Sequence, residues 1–132
     1  MSSEDFDDEK TDAGELGSNL CVAALYEITL AENAAGKLAD IEVRYKDVRE
    51  EEFSDSAVYE VTIDTPSSQD LSFISCVAEF GLILRESKYK GDSSLSNVTE
   101  RLNGLTEYIN ADVYKKEFVT LVGKLSENNK YD

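Results

Sequence analysis

Residues 57–84 read AVYEVTIDTPSSQDLSFISCVAEFGLIL, and the spacing of the apolar side chains changes halfway along. Over 57–64 it is two: Tyr59, Val61 and Ile63 fall on one side, Glu60 and Thr62 on the other, which predicts a strand with one wet face. From Leu71 the spacing becomes helical, and Leu71, Phe73, Ile74, Val77, Ala78, Phe80, Leu82, Ile83 and Leu84 surround a helix with almost no polar side. A helix of that kind is expected at the buried centre of its domain. Between the two, Thr65-Pro66-Ser67-Ser68 stops the strand and supplies hydroxyls to cap the helix, with Pro66 tolerated only at the first turn.

Upstream of this switch the pattern stays strand-like. Residues 38–46, LADIEVRYK, alternate cleanly, with Ile41, Val43 and Tyr45 inward and Asp40, Glu42, Arg44 and Lys46 outward. Residues 20–30, LCVAALYEITL, place Leu20, Val22, Ala24, Tyr26, Ile28 and Leu30 on one face. Cys21, Ala23 and Leu25 follow on the other, so this strand is expected to be covered on both sides for half its length. Residues 31–37, with Asn33 and Gly36, suit a hairpin connection, and 49–56 form a charged loop.

Downstream the pattern stays helical. Residues 88–95, with Gly91, read as a loop. Asn97 followed three residues later by Glu100 reads as a capping box opening a second helix, whose Val98, Leu102, Leu105 and Ile109 share a face. A third helix after Asn110 carries Val113, Phe118, Leu121, Val122 and Leu125. Strands followed by helices, without alternation, predict an α+β fold. The expected arrangement is a small antiparallel sheet of about three strands, in the order β-β-β-α-α-α, packed on a three-helix C-terminal half with a buried first helix. The domain is expected over 19–127, with strands over 19–64 and helices over 65–127. An acidic lead-in over 1–18 precedes it and a polar tail over 128–132 follows.

Composition excludes several function classes. The chain has 132 residues, 28 acids and 13 bases, a net charge of −15 and no histidine. Nucleic-acid binding needs cations that neutralise phosphates, and this field opposes it. It would also repel anionic lipid headgroups, and no stretch approaches the ~20 apolar residues of a membrane span, so no direct membrane insertion is expected. Without histidine the commonest general base, the usual triads and most zinc sites are missing. Cys21 and Cys76 sit in apolar runs, where a free thiol behaves as a small hydrophobe, and no disulfide between them is expected.

Three literal motifs fail on their context. Asp92-Ser93-Ser94-Leu95-Ser96 fits the D-x-S-x-S pattern of a metal-ion-dependent adhesion site, but it follows a polar helix end instead of an apolar strand. It reads as a serine-rich turn capping the next helix. Asp5, Asp7 and Glu9 are spaced like a calcium-binding loop, yet Lys10 and Leu16 occupy the positions that need glycine and glutamate. Asn97-Val98-Thr99 is a formal glycosylation sequon that helix capping explains better. No catalytic, cofactor-binding or metal-ligating residue, and no cofactor, is therefore assigned.

Several longer strings occur together: Asp5-Phe6-Asp7-Asp8, residues 12–17 (DAGELG), Ala24-Leu25-Tyr26-Glu27-Ile28, Val43-Arg44-Tyr45-Lys46, Phe80-Gly81, and residues 84–92 (LRESKYKGD). In order and spacing they resemble the C-terminal region of bacterial von Willebrand factor type A domain-containing proteins. The adhesion site of such proteins lies in the A domain, and no catalytic residue is attributed to the C-terminal region. The resemblance therefore implies a non-catalytic accessory domain whose partner is the adjacent A domain or another protein. It also implies display at the cell envelope, and further β-type segments before the Asp5 block that would cover one sheet edge. One stretch departs from the pattern: where a Gly-Ala-Gly-His-like sequence is expected, Gly17-Ser18-Asn19 stands. The surfaces to watch are Glu42, Arg44 and Lys46 on the second strand and the loop 85–92, in which Arg85, Glu86 and Tyr89 could equally serve only to close the first helix against the second. The alternative is a divalent-cation-responsive domain using Asp5, Asp7, Asp8 and Asp12.

Overall fold

The computed structural model describes residues 14, 16–17, 19–46, 49 and 56–127. They fall into two compact units, Met1–Thr65 and Pro66–Asp132. The first holds two strands, β1 (Lys37–Val43) and β2 (Ala57–Thr62). The second holds four helices: α1 (Gln69–Leu84), α2 (Leu95–Asn103), α3 (Thr106–Asn110) and α4 (Val113–Ser126). The fold is α+β, as the change of period predicts, with two strands instead of three and four helices instead of three among the described residues.

The missing strand is residues 20–30. They form neither strand nor helix, and Leu20, Val22 and Tyr26 are 67, 76 and 81% exposed. Alternation fits a segment for a sheet face, but a strand exists only where a neighbour takes its backbone hydrogen bonds.

β1 and β2 pair antiparallel, with Ile41 opposite Tyr59, Val43 opposite Ala57 and Ala39 opposite Val61. The two faces read from the sequence are therefore one continuous face. The other face sets Asp40 directly against Glu60, and like charges in that relation destabilise a pair of strands. A register shift between Lys37 and Ala39 resolves the conflict. The extra residue turns Lys37 onto the acidic face, where its ammonium lies 2.6 Å from Asp40 and 3.8 Å from Glu60. That contact, chiefly the hydrogen bond to Asp40, holds the Lys37 pKa above its ordinary value. The ladder gains one more bond where Ile63 donates to Gly36 at 2.8 Å, at a φ of 69° that suits glycine.

The helical unit has its own core of Cys76, Phe80, Ile83, Leu95, Val98, Leu102, Ile109 and Val122. Ser68 caps α1 by accepting from the Leu71 amide at 3.0 Å, as the hydroxyl run at 65–68 predicts. One side of α1, Cys76, Phe80 and Ile83, enters the core with Phe73 packed beside it. Leu71, Ile74, Val77 and Leu84 on its other sides are 37–49% exposed. The helical core thus takes up only part of the all-round apolar character that led us to expect a wholly buried helix.

A relay of edge-to-face rings links α1, α3 and α4. Phe118 stands 5.5 Å from Phe73 and 5.4 Å from Phe80, and Tyr108 is 6.1 Å from Phe73. Aromatic pairs favour this geometry because ring edges are positive and faces negative. The Tyr108 hydroxyl donates to Asp70 in the first turn of α1, and the Lys115 ammonium lies 3.9 Å from the Tyr108 ring centre. Arg101 of α2 reaches Glu79 and Ser75 on α1.

Two helix boundaries differ from the sequence reading. α2 opens at Leu95 with Ser94 as its cap, accepting from the Asn97 amide at 3.2 Å, so Asn97 lies within the first turn. The serine-rich turn does cap the helix, as expected, but the Asn97–Glu100 box does not form its start. The helix expected through Ile109 also breaks at Gly104, and α3 begins at Thr106.

Candidate functional site

Among the described residues no group of three or more His, Cys, Asp or Glu side chains is placed to hold a metal ion. Among the described residues no helix is long and apolar enough to cross a membrane. Asp5, Asp7, Asp8 and Asp12, the residues of the cation-responsive alternative, lie outside the described residues. An open concavity of about 550 Å³ is bordered by Ile28, Leu30, Leu38 and Lys37 among others. Thr29 and Asn33 also line it, and the Lys37 ammonium beside it is held by Asp40 and Glu60. Cys76 is buried, as its apolar run predicts, whereas Cys21 is exposed, because residues 20–30 form no strand that would cover it.

Two surfaces remain. The first is the outer row of α1. Leu71, Ile74 and Val77 recur three residues apart and form a ridge along the helix that the helical core does not use. Contiguous exposed apolar side chains of this kind mark surfaces that meet another surface. The sequence reading missed this row because it placed the whole helix in the interior. The signal was present: a helix with apolar residues all round has more of them than one core face can take up.

The second is the loop 85–92. It is a run of tight turns. Arg85 caps α1 and Glu86 takes a φ of 48°. Glu86 then donates to Ile83 and Ser87 to Leu82, each at 3.0 Å. These two bonds form a Schellman motif, with glutamate where glycine is usual. Gly91 supplies a further positive φ of 54°, and Ser87 accepts from the Tyr89 amide at 3.2 Å. Tyr89 is 72% exposed with the Lys88 ammonium 4.8 Å from its ring centre. The loop closes α1 through Arg85 and Glu86 and leaves Tyr89 outside. The other surface expected from the sequence, Glu42, Arg44 and Lys46, continues β1, with Glu42 and Lys46 exposed and Arg44 half-buried.

Charge is divided unevenly along the chain. Residues 1–65 contain 18 acids and five bases, whereas residues 66–132 contain ten acids and eight bases. The acidic excess therefore lies in the first half of the chain. The apolar row of α1 lies on a helix whose own charged residues are only Asp70 and Glu79.

Two overlapping segments of the chain, residues 1–40 and 31–127, match the family described as "Uncharacterized protein YfbK, C-terminal". The chain belongs to that family. Membership extends over both the hairpin and the helices, and it agrees with the sequence resemblance in placing this chain as the C-terminal part of a larger protein. No curated protein and no solved structure matches the chain.

Proposed function

We propose that this C-terminal domain is a non-catalytic interaction module that docks on the von Willebrand factor type A domain of its own parent protein. The observation that supports the reading is the outer row of α1. Leu71, Ile74 and Val77 would cost less free energy covered than wet, at about 25 cal/mol per Å² of apolar surface removed from water. A near-neutral helical half suits contact with a protein surface better than contact with a polyanion or a lipid headgroup. The A domain enters through the resemblance carried by residues 24–28, 43–46 and 84–92. In this reading the metal-dependent chemistry belongs to the A domain, and the C-terminal domain contributes surface only.

The experiment is an amide NMR titration of this chain with the A domain encoded upstream in its gene, with and without magnesium. Shifts confined to α1 around Leu71, Ile74 and Val77, and lost in Ile74→Glu, are the expected result. A spectrum unchanged at high A-domain concentration would overturn the docking.

A further inference from the structure

We infer that residues 20–30 are a donated strand, which adds to the free edge of a β-sheet in the preceding part of the parent protein. Leu20, Val22, Leu25, Tyr26, Ile28 and Leu30 are all exposed, by 41–81%. From Cys21 to Leu30 no backbone amide or carbonyl makes a hydrogen bond among the described residues. The nearest such bonds lie outside: the Leu20 amide donates to Gly17, and the Ala34 amide to Ala31. An apolar row beside a run of unpaired backbone groups is what an incoming strand brings to a sheet edge.

The pattern fixes the kind of edge that receives it. Successive side chains of a strand point to opposite faces. One face of this segment is apolar from Leu20 to Leu30. The other carries the small Cys21 and Ala23, then Leu25, and turns polar at Glu27 and Thr29. The receiving sheet is therefore covered on both faces over the first half of the strand, with little room above Cys21 and Ala23. Over the second half one face is open to water.

Charge and placement select the partner. Residues 1–65 carry 18 acids and five bases, so a second copy of this half would be repelled. Glu27 is the one charged residue over 20–30, so recognition rests on backbone bonds and apolar cover, and a charged groove has nothing to read. The chain belongs to a family described as the C-terminal part of a protein, so a preceding polypeptide is tethered to it at high effective concentration. A strand buried on both faces suits such a constant partner. The inference needs only this placement and does not depend on docking of the A domain at α1.

Amide hydrogen exchange on the 132-residue chain and on the full-length parent protein tests it. Amides 21–30 should exchange at open-chain rates in the chain alone and at least tenfold more slowly in the parent. An aromatic disulfide reagent, mapped by peptide mass, should modify Cys21 at least tenfold more slowly in the parent as well. Ala23 and Ala24 are neighbours whose amides point to opposite edges of the strand, and only one of them meets the sheet. Of Ala23→Pro and Ala24→Pro, one should therefore abolish the protection and the other keep most of it. Neither should move the urea midpoint of the chain alone. Ile74→Glu, which tests the docking at α1, should leave the protection of 21–30 unchanged. Fast exchange over 21–30 in the parent would overturn the inference, as would a slowed Cys21 with fast amides, which is cover without pairing. So would protection already present in the chain alone, or equal effects of the two prolines.

Discussion

The backbone amide of Ser87 donates to the carbonyl of Leu82 at 3.0 Å, and the residue that turns the chain to make this possible is Glu86, at a φ of 48°. An L-residue in that conformation costs about 1–2 kcal/mol because Cβ crowds the carbonyl. Glycine removes the clash but adds about 0.5–1 kcal/mol of unfolded-state entropy. Glu86→Gly should therefore stabilise the helical unit by roughly 0.5 kcal/mol, seen as a higher urea midpoint at unchanged slope. A lower midpoint would show that the Glu86 carboxylate contributes more than its backbone costs.

Phe118 is the ring through which α4 reaches both Phe73 and Phe80 on α1. Phe118→Ala deletes both edge-to-face contacts and leaves a cavity at the edge of the core. Because Phe118 is only partly buried, the loss should lie near the low end for such truncations, about 3 kcal/mol. Phe118→Leu keeps most of the volume and should cost less than half as much. Far-UV circular dichroism during urea unfolding would rank the two, and equal losses would mean that the rings do not hold α4 in place.

The places where sequence and structure part have physical causes. Residues 20–30 alternate as well as 38–46 do, but among the described residues only β1 of the two has a partner strand, and pairing is a non-local fact that alternation cannot carry. For the same reason β1 ends at Val43, where β2 runs out, and not at Lys46. Helix starts were blurred by Ser93, Ser94, Ser96 and Asn97 standing close together as candidate caps. Burial settles the choice: Leu95, Val98 and Leu102 are all inside, and α2 must open at Leu95 to bring the first of them in. The break at Gly104 left no trace in the pattern, because Leu102, Leu105 and Ile109 keep helical spacing across it. The α1 helix was the most legible element and the source of the candidate surface, since its excess of apolar residues could be counted before any contact was known. The acidic cation candidates were legible as composition alone, which fixes no geometry.

Asp112 caps α4 by accepting from the Lys115 amide at 3.1 Å and the Tyr114 amide at 2.8 Å. These bonds, the one to Lys115 foremost, hold its carboxyl below the ordinary 3.8. A pKa lowered by folding contributes stability that is present above the unfolded value and lost as pH falls through the folded one. The wild-type melting temperature should therefore fall on acidification below about pH 4. Asp112→Asn still caps and should remove this part of the acid sensitivity, whereas Asp112→Ala should be less stable at every pH. Identical acid slopes in wild type and Asp112→Asn would sink the assignment.

The two thiols should behave as opposites. Cys76 is 0% exposed in the helical core, and burial above all pushes its pKa up. Cys21 is exposed. An aromatic disulfide reagent should therefore titrate one thiol in the native chain and both in urea, with Cys21→Ser abolishing the fast phase. Because folding raises the Cys76 pKa, its contribution is intact below the unfolded thiol value near 9.0 and is lost as pH rises through the folded value. Above about pH 9 the unfolded chain releases a proton that the folded chain keeps, so the stability of the helical unit should decline. Cys76→Ala should flatten that decline while lowering stability at neutral pH through the small cavity it leaves. Two thiols reacting at the same fast rate in native buffer would mean that the core around Cys76, Val98 and Val122 opens readily. The predicted alkaline loss would then have no buried group to drive it.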